Sequence, residues 1–73
     1  MKRIEKIREL GKVVNGVQQI VADVMVSTEA DLTGLADAIT GVKLMPGSIA
    51  LVVQTGVFYV LDDDGEWYTK EAE

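Results

Sequence analysis

Apolar residues change their spacing along this chain. Ile4, Ile7 and Leu10 recur every three positions with charges between them, closer to a helical stripe than to strand alternation. Glu5–Arg8 and Lys6–Glu9 stand three apart and support a helix weakly. Gly11 supplies a helix end, while basic residues at the start oppose the helix dipole. Residues 1–12 are therefore predicted as a basic N-terminal helix, with an extended arm as the alternative. Val13-Val14-Asn15-Gly16-Val17 reads as a hairpin, because both central residues of a type I′ turn need positive φ. With its following strand the hairpin spans 13–26. Ile20, Ala22, Val24 and Val26 fall on one face of that strand; Gln19, Val21, Asp23 and Met25 form a mixed, half-exposed face.

Thr28-Glu29-Ala30-Asp31 resembles a capping box, and Leu32, Leu35, Ala36 and Ile39 fall on one helical face. A short helix is predicted over 28–39, weakened by Gly34 and ended by Gly41. Residues 40–47 form a connector ending in a Pro46-Gly47 turn. A three-stranded meander follows over 48–70. Ile49, Leu51 and Val53 share one face of its first strand, and Ala50, Val52 and Gln54 the other. The second strand places Val57, Tyr59 and Leu61 opposite Phe58 and Val60. Neither strand alternates apolar with polar, as a sheet wet on one side should. Both faces are thus expected to be covered, one by the chain's own helix and the other by a copy of the chain. The strand from Glu66 to Lys70 reads as the wetter edge. The expected fold class is α+β: a small antiparallel sheet, built from the N-terminal hairpin and the C-terminal meander, with one or two short helices.

Composition sharpens the expectation of association. A chain of 73 residues that is 48% hydrophobic has more apolar surface than one small core hides. It has no cysteine and no histidine, which removes disulfides, thiolate zinc sites and the commonest general base. Residues 1–12 carry five basic side chains against two carboxylates, a net +3; the remainder carries two against ten, a net −8. Lys2, Arg3, Lys6 and Arg8 are accordingly candidate docking charges for an acidic protein surface. The acidic body and the lack of aromatics among the basic residues argue against nucleic acid as a partner. No apolar run reaches bilayer length and no secretory pattern is visible, so no membrane partner and synthesis in a cytoplasm are expected.

Candidate chemistry is sparse. Asp62-Asp63-Asp64-Gly65-Glu66 offers oxygen ligands suited to calcium, but an EF-hand register puts Val60 at the first ligand position; a solvated turn is the simpler reading. No serine or threonine has a histidine partner, no carboxylate lies in an apolar run, and no Gly-Lys-Ser/Thr follows Gly41–Gly47. No catalytic, metal or cofactor residues are assigned, and an enzyme is not expected. Ile49, Leu51, Val53, Phe58, Val60 and Trp67 are assigned to the core or to an oligomer interface. Trp67, Tyr59 and Tyr68 form an alternative platform for a carbohydrate or receptor. A small intracellular regulator binding a host protein is a further alternative.

The order Val24-x-Val26, Asp31-Leu32, Pro46-Gly47-Ser48-Ile49-Ala50, Thr55-Gly56-x-x-Tyr59-Val60 and Asp64-Gly65-x-Trp67 resembles small β-modules of tailed-bacteriophage virion proteins. The likeness covers roughly residues 24–68, and it departs at Thr33, where those modules usually carry proline. It implies a fibre, fibre-base or head or tail accessory protein, often a homotrimer. The implied partners are its own copies and other virion proteins, and the implied location is the virion.

Overall fold

A computed structural model describes residues 1–70. It contains six strands: β1 (Lys2–Val14), β2 (Val17–Val26), β3 (Val42–Leu44), β4 (Ile49–Val52), β5 (Val57–Leu61) and β6 (Trp67–Thr69). They form one sheet in the order β1-β2-β4-β5-β6, with β3 also paired to β2. The β1–β2, β4–β5 and β5–β6 pairs are antiparallel, whereas β3 and β4 both run parallel to β2. The sheet is therefore mixed rather than antiparallel, and the fold is sheet-rich rather than α+β.

The hairpin turns at Asn15-Gly16, both at positive φ, and β2 spans Val17–Val26 as its alternation requires. Residues 1–12 form no helix, because β1 already begins at Lys2. The threefold spacing has a different cause. Ile4, Ile7 and Leu10 pair with Val24, Ala22 and Ile20, so β1 advances three residues for every two of β2. Each interval contains a register shift, and each extra residue is a bulge that turns a strand's period of two into three.

The predicted helix at 28–39 is replaced by two 3-10 turns, Glu29–Leu32 and Leu35–Asp37. Between them Thr33 is extended and Gly34 takes φ +70, a left-handed conformation that ends any continuous helix. The Asp31 carboxylate accepts the Thr28 N–H at 3.0 Å, so the cap is made but only one turn follows it. This bond, chiefly, holds the Asp31 carboxyl below its ordinary value.

The two 3-10 turns lie over one face of the sheet, to which β3 contributes Leu44. Leu32, Leu35 and Leu44 are buried there with Ile20, Ala22, Val24, Val26, Ala50, Val52 and Leu61. β3 and β4 act as one interrupted strand beside β2, broken at Met45-Pro46-Gly47-Ser48. Proline cannot donate to a ladder. At the break the buried Ser48 hydroxyl accepts the Ala22 N–H at 3.2 Å. It thereby replaces the strand partner that β2 lacks at that point.

Candidate functional site

The face of the sheet opposite this core has no covering layer among the described residues. Strand register brings its side chains together: Met25 stands beside Leu51, Leu51 beside Phe58, and Ile49 beside Val60. Tyr68 flanks Val60 from β6. Met25, Ile49, Leu51 and Val60 are half-buried and Phe58 is 48% exposed. Their surroundings include a groove of about 330 Å³ lined by Met25, Ile49, Leu51 and Phe58, with Glu5 and Asp23 on its β1–β2 side and Lys70 on its β5–β6 side.

Of the six residues assigned to core or interface, Ile49, Leu51, Phe58 and Val60 thus meet on this open face, and none of the six is in the buried core. The core takes the alternate positions Ala50, Val52 and Leu61. Val53 stands just past the end of β4 and is exposed. Trp67 pairs with Leu61 and packs half-buried against the core, on the other face. Sequence reasoning missed Met25 and the rim charges Glu5, Asp23 and Lys70. The signal for Met25 was its place among the outward positions of β2, but nothing local shows that β4 lies next to β2.

The docking charges divide. Arg3 pairs with Glu5 at 2.9 Å, and Arg8 pairs with Asp23 at 2.9 Å while also donating to the Gly47 carbonyl. Both arginines therefore brace the sheet's own edge. Lys2 and Lys6 are exposed, and the positive charge of Lys2 contributes to holding Asp31 low.

The Asp62–Glu66 turn closes on itself. Gly65 N–H donates to the Asp62 carbonyl and Asp62 N–H to the Glu66 carbonyl, both at 3.0 Å. The Tyr68 hydroxyl donates to Asp64 Oδ2 at 2.6 Å, and the Glu66 N–H donates to Oδ1 at 2.9 Å. The tyrosine bond, then the amide bond, hold the Asp64 carboxyl below its ordinary range; the same tyrosine bond and the carboxylate charge push Tyr68 up. Both oxygens of Asp64 thus serve the turn. The pleat also divides the aromatic platform: Tyr59 and Trp67 border one concavity of about 210 Å³ on the core side, while Tyr68 lies with Val60 on the open face.

No family model, curated protein or solved structure matches this chain.

Proposed function

We propose that this chain is a non-enzymatic structural subunit that associates with copies of itself through the open face of the sheet. The observation that carries this reading is the run of apolar side chains Met25, Ile49, Leu51, Phe58 and Val60 across three adjacent strands, with Phe58 almost half exposed. Contiguous exposed apolar patches mark interaction sites. A second copy is favoured as the occupant because Lys70 on one rim complements Glu5 and Asp23 on the other, two carboxylates that also pair with Arg3 and Arg8 of their own chain. Around a threefold axis the acidic rim of each copy meets the basic rim of the next, and three faces enclose a shared apolar interior. The trimer agrees with the resemblance to tailed-bacteriophage virion modules, which also supplies the proposed setting: a head or tail accessory or fibre-base component docked on other virion proteins.

The native mass tests this reading. Wild-type protein is expected to sediment as an oligomer, with a trimer favoured, at micromolar concentration. Phe58→Glu, which buries nothing new inside the fold, is expected to lose the wild-type native mass and sediment as a smaller species, with an unchanged circular dichroism spectrum. A wild-type monomer would overturn the proposal.

A further inference from the structure

Two features on the core side of the sheet have no partner within the described chain. The first is the far part of the β1–β2 hairpin. Leu10 is in register with the buried Ile20, yet it is 70% exposed, and Val13 is 64% exposed. The layer that covers Ile20 does not reach them. Lys12 stands between them in sequence and is exposed. The second is a cavity of about 380 Å³ bordered by the second 3-10 turn, the β3–β4 corner and the Asp62–Gly65 turn. Met45, Pro46 and Trp67 give it apolar walls. Asp37, Asp62 and Asp63 place three carboxylates around it against the single ammonium of Lys43.

We infer that the hairpin of one copy seats Leu10, with Lys12 beside it, in the acidic cavity of a neighbouring copy. The two surfaces complement each other in kind: an exposed apolar knob with a cation meets an apolar hollow rimmed by anions. Leu10 does not line its own chain's cavity, and the match of Lys12 to Asp37, Asp62 and Asp63 makes another copy the occupant. Hairpin and cavity are different surfaces, so the contact is head-to-tail. Each copy offers both halves, and repetition closes a ring or extends a filament. The inference deepens the self-association reading and rests on it, but it uses a surface separate from the open face.

The cysteine-free sequence makes the test direct. Leu10→Cys and Asp63→Cys, both at exposed positions, are placed in separate chains, one of them tagged, then mixed and oxidised. A disulfide-linked heterodimer is expected in clear excess over the control mixture of Leu10→Cys with Gln54→Cys. Adding Lys12→Glu is expected to lower the yield by roughly two- to fivefold, the size of an exposed ion pair. Equal yields in the test and control mixtures would overturn the inference. Repeating the reaction in Phe58→Glu chains separates the two contacts. A retained cross-link supports a distinct hairpin contact; its loss, together with native mass, shows that only the open face drives assembly and overturns the inference.

Discussion

Ser48 is fully buried and its hydroxyl has one task, to accept the Ala22 N–H where Pro46 interrupts the strand beside β2. Ser48→Ala leaves that amide buried and unpaired, and a cost of about 1–3 kcal/mol is expected in urea denaturation. At the opposite extreme of exposure, Asp64 and Tyr68 tie the last turn to β6. Asp64 titrates below its ordinary value in the folded chain, so its contribution is present above the unfolded carboxylate range and is lost as pH falls through the depressed value. Tyr68 titrates above its ordinary value, so its contribution is complete below that value and is lost as pH rises through the raised one. Tyr68→Phe is therefore expected to flatten the dependence of Tm on pH at both the acid and the alkaline limb and leave neutral pH least changed in slope. A wild-type profile in the variant would show that the bond is not made in solution.

At the level of elements, the chain was readable wherever one strand obeys its own local pattern. Asn15-Gly16 marks its turn because only a few residues accept positive φ at low cost. The alternation over Val17–Val26 marks β2 because one face is buried throughout. The meander over β4, β5 and β6 was equally legible from its turns and β-branched residues. What failed were two segments in which a three-residue spacing mimicked a helix. In β1 the spacing comes from bulges; at 28–39 two separate 3-10 turns, broken at Thr33 and Gly34, each send one leucine, Leu32 and Leu35, into the core. The parallel β2–β4 pair was invisible because it joins residues some 26 positions apart through a connection with no local signature. Gly34 distinguishes the two accounts of residues 28–39 by sign. In a helix, Gly34→Ala would stabilise by up to about 1 kcal/mol. At φ +70 it is expected to destabilise by about 1–2 kcal/mol, the cost of a left-handed L-residue, as read by thermal or chemical denaturation.

For the molecule as a whole, the open face was anticipated because β4 and β5 lack alternating polar residues, and a strand apolar on both sides needs two coverings. The two 3-10 turns supply one covering, and Ile49, Leu51, Phe58 and Val60 remain on the other side. Which residue of β2 joins them followed only from the parallel register. A domain this small gains little from a single core, so association and stability should be linked. If copies bind only in the folded state, Tm is expected to rise with protein concentration, and Phe58→Glu is expected to weaken that rise. A Tm independent of concentration in the wild type would separate folding from assembly.

The bulged β1 strand works like a vernier, two scales of different pitch laid side by side. Sliding β1 by three residues against β2 brings Ile7 to Val24, Leu10 to Ala22 and Val13 to Ile20, and every apolar match survives. Hydrophobic contact alone therefore leaves the alignment of this hairpin degenerate, unlike an ordinary pair in which a one-residue slip inverts the faces. Two features break the tie. The Asn15-Gly16 turn fixes the zero of the scale, and Asp23 reads it: in the native alignment it faces Lys6 and bonds Arg8, whereas the slip that brings Ile7 to Val24 sets Glu9 against it. A modest surface ion pair, worth little as a source of stability, here selects which of several equally greasy arrangements the strand adopts.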